Sequence, residues 1–331
     1  MAISIRRREL ITALGGAAIA WPLAARAQQP ALPMIGFLHT GSLDQFTLRL
    51  TAYRQGLKEM GFVEGQNVVI EFRWANSDNN RLPEFVADLI KRQTAVIVAL
   101  GSTPAALAAK AATATIPIVF TTGTDPVALG LVASLSRPGG NATGITALNA
   151  DLAAKRLGLL RALLPKADRF LTLVNPQSPL TEPFIKDLQS GATNLGIRVD
   201  ILKASTPGEI DAVFANLPRR PASVLLVSTD IFLFSNRDRI IAGAAKLGLP
   251  AIYDSREFVD AGGLISYGAE YLEVMRQAGV YTGRVLKGEK PADLPVVQSE
   301  KFELTINLKT ARTLGVEVPP TLLAIADEVI E

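Results

Sequence analysis

The sequence has no cysteine and one histidine, His39, in 331 residues. Disulfide scaffolds, cysteine nucleophiles, thiolate metal sites, a lipid-modified N-terminal cysteine and any multi-histidine metal centre are excluded together. Catalytic signatures are missing too: there is no G-x-S-x-G elbow, no G-x-G-x-x-G after the first strand, no G-x-x-x-x-G-K-[ST] and no H-E-x-x-H. His39 stands without an accompanying motif, so a loop histidine or a ligand partner fits it better than a general base. No cofactor is implied. With 48% hydrophobic, 20% charged and only 6% aromatic residues, the composition is globular and sufficient for two cores.

No hydrophobic run reaches the roughly 20 residues of a spanning helix. The longest uncharged stretch near the start, from Leu10 to Ala25, is 16 residues and contains Gly15, Gly16 and Pro22. With Arg6, Arg7 and Arg8 before it and Ala25-Arg26-Ala27 after it, residues 1–27 read as a cleaved export signal. Consecutive arginines followed by Glu9-Leu10-Ile11 resemble a twin-arginine signal, with the general secretory route as the alternative. Periplasmic export is therefore expected. Removing this segment takes 34 basic residues to 30 and 31 acidic residues to 30. A neutral mature chain with no basic run longer than a pair such as Arg219-Arg220 has no footprint for nucleic acid.

From Pro33 onward, short β-branched runs alternate with alanine-rich or amphipathic stretches of helical length, as in parallel βα units. Strands are expected near 33–38, 66–72, 95–100 and 116–120, then near 169–174, 197–202, 223–227, 250–253 and 264–267. Helices are expected near 44–60, 81–92, 104–114, 126–135, 150–163, 179–194, 207–216, 234–247, 256–260 and 269–287. The breakers Arg137-Pro138-Gly139-Gly140-Asn141 mark a change of unit. The fold class is α/β with two Rossmann-like lobes, lobe 1 being 28–145 plus about 263–292 and lobe 2 being 146–262 plus about 293–331.

In open α/β sheets ligands bind beyond the carboxyl ends of the strands. Those ends carry His39, Thr40 and Ser42; Ser102 and Thr103; Asp125; Asn175 and Ser178; Thr229 and Asp230; Tyr253 and Glu257. These are the candidate ligand-binding residues. Thr103-Pro104, Asp125-Pro126 and Ser178-Pro179 also read simply as helix caps followed by proline at the first helical position. A helix N-terminus with Ser102 and Thr103 suits a carboxylate. Asp125 or Asp230 suits an ammonium group.

The runs Pro33-Met34-Ile35-Gly36-Phe37-Leu38, Gly56-Leu57-Lys58-Glu59-Met60-Gly61-Phe62-Val63-Glu64-Gly65-Gln66-Asn67, Asp125-Pro126-Val127, Gly130-Leu131-Val132 and Arg137-Pro138-Gly139-Gly140-Asn141 resemble the ABC transporter substrate-binding proteins often labelled tryptophan/tyrosine transport components. Thr143-Gly144, Gly262-Gly263-Leu264, Asn307-Leu308-Lys309-Thr310-Ala311, Gly315 and Pro319 fit the same pattern. The resemblance spans nearly the whole mature chain. It implies a type I periplasmic binding fold with three crossovers between lobes. It also implies a small-molecule ligand, an amino acid or related compound, delivered to an ABC transporter permease; the chain is read as a monomer without enzymatic activity. A ligand-presenting sensory protein and a periplasmic enzyme using His39 are the alternatives.

Overall fold

The computed structural model describes residues 32–220 and 222–331. The export signal expected at 1–27 lies outside them. Among the described residues no helix is long and apolar enough to cross a membrane.

The chain alternates strand and helix from the start: β1 (Met34–His39), α1 (Leu43–Glu59), β2 (Val69–Trp74), α2 (Leu82–Lys91), β3 (Val96–Ala99), α3 (Thr103–Ala112), β4 (Ile118–Thr122) and β5 (Ala142–Thr146). It continues with α4 (Ala153–Leu163), β6 (Arg169–Val174), α5 (Thr181–Leu195), β7 (Val199–Lys203), α6 (Pro207–Asn216), β8 (Ser223–Val227), α7 (Ile231–Ser235), α8 (Arg237–Leu247), β9 (Ala251–Tyr253), α9 (Arg256–Asp260) and β10 (Ile265–Ala269). Last come α10 (Tyr271–Leu286), β11 (Val297–Gln298), β12 (Phe302–Asn307), α11 (Leu308–Leu314), α12 (Pro320–Leu323) and β13 (Glu328–Ile330).

The strands form two sheets. The first runs β11-β5-β4-β3-β1-β2, and the second runs β13-β12-β10-β9-β8-β6-β7. All pairings are parallel except β10 with β12. Central strands such as β3 (VIVA) and β8 (SVLLV) are buried along their whole length, because helices cover both faces of a parallel sheet and each face needs apolar side chains. In the first lobe one apolar cluster gathers Ile35, Phe37, Leu50, Val98, Ile145 and Met275 beneath α1 and α10. On the other face Leu38, Val86, Ala106 and Phe120 pack beneath α2 and α3.

Strand pairing corrects two expected lobe boundaries. Ile265–Ala269 pairs with β9 and β12, so 263–269 sits in the second lobe, although it was expected in the first. Val297 and Gln298 pair with Ile145 and Thr146, so the first lobe keeps the chain to 298 and not only to 292. The chain passes between sheets three times, at 147–152, at Glu270 and at 299–301. The helix expected at 126–135 is also absent. Asp125 Oδ1 accepts the Val127 N–H at 2.8 Å, and the single turn that starts there ends at Gly130, whose φ of 72° stops a right-handed helix. The helix expected over 234–247 is two helices, broken at Asn236.

One helix pair is unusually close. Gly56 on α1 and Gly279 on α10 have no room for a side chain: a Cβ on Gly279 would lie 2.1 Å from the Tyr53 carbonyl oxygen, and one on Gly56 would lie 1.9 Å from that of Arg276. Backbone meets backbone there, so α1 and α10 behave as one rigid piece.

Candidate functional site

A narrow cleft lies where the carboxyl ends of the strands of both sheets meet. From the first lobe it is lined by Gly101, Thr103 and Pro104 after β3 and by Thr121, Thr122 and Gly123 at the end of β4. From the second it is lined by Ser178, Leu180, Thr229, Asp230, Ile231, Phe234 and Asp254. Arg49, Ala147, Tyr271 and Val274 complete it. The lobes come close at Gly123, where a Cβ would stand 3.2 Å from Leu180 and 3.4 Å from Thr229.

The first-lobe wall is the start of α3. Ser102 caps that helix, its Oγ accepting the Ala105 N–H at 3.4 Å and sharing a hydrogen bond with Thr40 Oγ1 at 2.9 Å. Ser102 is fully buried behind the wall and does not line the cleft. Thr103 does, with its hydroxyl 3.1 Å from that of Thr122. The start of α3 beside these hydroxyls sets the positive end of its dipole at the cleft wall, while Pro104 has no N–H and those of Ala105 and Ala106 are taken by Ser102.

The second-lobe wall carries carboxylates. Asp230 caps α7 by accepting the Leu233 N–H at 3.0 Å, and it accepts the Asn175 side-chain amide at 3.1 Å. Both partners are neutral, and burial raises its pKa above the ordinary carboxylate range despite these hydrogen bonds. Asp254 is raised as well. Burial is the larger influence, opposed through space by Arg156 and Arg49.

Arg156 is completely buried. Its Nε donates to the Tyr267 carbonyl at 2.7 Å and its Nη1 to the Asn149 carbonyl at 3.0 Å and Thr229 Oγ1 at 3.2 Å. Its Nη2 has no partner among the described residues. Burial lowers its pKa. On the other side, Arg49 Nε donates to Glu257 Oε1 at 2.8 Å. Burial alone would raise Glu257, but the Arg49 charge and hydrogen bond outweigh it and hold the carboxyl below its usual range. Of the two carboxylates that line the cleft, Asp230 is the one without an arginine acting on it.

The remaining expected residues lie elsewhere. Thr40 and Asn175 line a smaller recess that adjoins the cleft through Ser178, Asp230 and Ile231. Ser42 stands at the N-cap position of α1 without a side-chain cap bond. Asp125 is exposed and occupied in its turn. Tyr253 is buried against Phe258, ring centroids 4.6 Å apart, and borders a different groove. Glu257 is spent on Arg49. His39 is sealed among Phe37, Phe46 and Trp74. Its Nδ1 accepts the Gly41 N–H at 2.8 Å, and burial, aided by Arg49, pushes its pKa down to about 3. A neutral imidazole without access to the cleft does not serve as a base there.

Arg49, Arg156, Phe234 and Tyr271 were not anticipated from the sequence. All four sit on helices, where a charge or ring reads as one side of an amphipathic pattern. Asp254 was legible only as a helix start.

The chain matches the family described as ABC transporter substrate binding protein over residues 38–330. It is 30% identical over 264 residues to the tyrosine-binding protein of Clostridioides difficile (strain R20291), covering 80% of this chain and 75% of that one. It superposes with a TM-score of 0.83 on the ABC domain in complex with L-Trp from Streptococcus pneumonia, at 26% identity, covering 91% of this chain and 100% of that one. On the ligand-free, open structure of a substrate binding protein with adhesive properties from Clostridium difficile the TM-score is 0.64, at the same 26% identity and covering 91% and 99%. The architecture is the type I periplasmic binding fold.

Proposed function

The chain belongs to the ABC transporter substrate-binding protein family, and from that premise we propose that it is an exported receptor that traps an aromatic amino acid between its lobes for delivery to the permease of an ABC importer. The observation that carries this reading is Asp230, a buried carboxylate at the cleft with only neutral partners. Such a group is costly to bury ionised unless a cation joins it, and an α-ammonium group supplies one. The start of α3 with Thr103 and Thr122 suits the α-carboxylate. Leu180, Ile231, Phe234, Tyr271 and Val274 supply apolar and aromatic surface for the side chain.

Export follows in this reading from the arginine-rich leader and its small-x-small end. The neutral mature charge fits the absence of a nucleic-acid partner. The sensory alternative shares the same binding site and differs only in the membrane partner, so loss of uptake on gene deletion separates it from import. The enzymatic alternative loses its base, because His39 is sealed and neutral.

Mass spectrometry of whatever is released by denaturing the protein purified from its native compartment tests the proposal. Tryptophan, tyrosine or a close analogue in stoichiometric amount is expected. Stoichiometric release of a sugar or a nucleoside would refute it.

A further inference from the structure

Helix α1 of the first lobe lays one edge against the second lobe. Gln45 and Arg49 are four residues apart and so share a face. Gln45 Nε2 donates to the Ser235 carbonyl at 2.5 Å, and Arg49 reaches Glu257 on α9 at 2.8 Å. The Arg49 guanidinium is also held between two rings, 4.2 Å from the Phe234 centroid and 4.1 Å from that of Tyr271. Phe234 belongs to the second lobe, and Tyr271 begins α10 of the first. Every atom in this set belongs to the protein.

We propose that Arg49, held by Glu257 and Phe234, is a latch that closes the lobes without help from the ligand and sets how long the ligand stays. The proposal rests on the reading that the lobes open and close around a solute. Its logic is a matter of populations. A ligand binds tightly only to a closed form that is already accessible, and apparent affinity falls in proportion to the closed fraction. Contacts made only on closure raise that fraction in the empty protein. They must also break before the ligand leaves. Arginine suits such a latch because its planar guanidinium stacks on aromatic faces while its edge pairs with a carboxylate, which lysine cannot do in one position. The α1–α10 glycine contact makes the device stiff, since Arg49 and Tyr271 are carried by one rigid pair.

Glu257 does not line the cleft, so Glu257→Gln tests the latch without removing a ligand contact. The chain lacks cysteine, so spin labels at Asn80→Cys and Gly208→Cys, exposed positions on opposite lobes, report the interlobe distance cleanly. In ligand-free protein the unsubstituted latch is expected to show a closed population that Glu257→Gln and Arg49→Lys deplete. With L-tryptophan or L-tyrosine as probe, Glu257→Gln is expected to speed dissociation about tenfold, the loss of roughly 1.4 kcal/mol that a charged hydrogen bond can supply, with association changed far less. The double variant Arg49→Gln/Glu257→Gln leaves no lone buried charge and is expected to match the single variants. Identical distance distributions with and without the latch, or dissociation within twofold of the parent, would overturn the proposal. If neither amino acid binds, the ligand reading fails, while the ligand-free distances still decide the latch.

Discussion

Asn149, in the first passage between the sheets, donates its side-chain amide to the Tyr271 hydroxyl at 2.8 Å, and its side-chain oxygen accepts the Ala269 N–H at 3.0 Å. Two of the three passages are thereby tied to each other beneath the cleft. Asn149 is fully buried, so Asn149→Ala would strand the Ala269 N–H and is expected to lower stability by about 1–3 kcal/mol. Tyr271→Phe removes one neutral bond and is expected to cost about 0.5–1.5 kcal/mol. Urea unfolding of the three proteins checks the order.

Asp230 carries the charge argument, and asparagine isolates it. Asparagine caps a helix as well as aspartate does, so Asp230→Asn is expected to leave unliganded stability within about 0.5 kcal/mol while weakening amino-acid binding by about tenfold or more. The sign with pH follows from the direction of the shift. Burial raises the Asp230 pKa in the empty protein, and a bound ammonium would lower it again, so binding releases a proton. Affinity is expected to weaken as pH falls from neutral into the mildly acidic range. Titrations at several pH values should show this slope in the parent and lose it in Asp230→Asn.

The charges missed in the sequence explain where its reading ran out. Thr103, Ser178, Thr229 and Asp230 line the cleft and were legible as strand-end positions, because a strand end followed by a polar residue marks a position geometrically, whatever the tertiary packing. Arg49 and Arg156 lie within helices, at positions that a linear pattern assigns to solvent. Only the fold shows that α1 meets the other lobe and that Arg156 sits under the crossings. The same limit displaced two lobe boundaries: the pattern signals a strand at 264–267 but not the sheet it joins, and β11 is two residues long. Ser102 illustrates the reverse case, a correct cap whose hydroxyl turns inward.

The α1–α10 contact predicts opposite signs for two glycine substitutions. Gly279→Ala would push a methyl group onto backbone atoms at 2.1 and 2.8 Å and is expected to destabilise by about 1–3 kcal/mol. Gly158→Ala on α4 meets nothing within 4 Å, and alanine there is expected to stabilise by about 0.5–1 kcal/mol. Thermal melts of both against the parent read the difference directly.

His39 predicts acid sensitivity. Its pKa falls from an ordinary 6.5 to about 3 in the folded protein, so between those values the unfolded chain holds a proton that the folded one rejects. The contribution to stability is complete above about pH 6.5 and is lost as pH falls towards 3, by at most about 1.4 kcal/mol per unit. Denaturation midpoints at pH 7 and pH 5 should differ less in His39→Gln than in the parent. An equal drop in both would assign the acid sensitivity to other groups.

Calorimetric titration of the purified mature protein, freed of any retained ligand by unfolding and refolding, tests the central claim most directly. Injection of L-tryptophan or L-tyrosine is expected to give one saturable site per chain, with a dissociation constant in the micromolar range or tighter and a negative heat-capacity change from apolar burial. No saturable heat with either, together with tight binding of a solute that lacks an ammonium group, would contradict it.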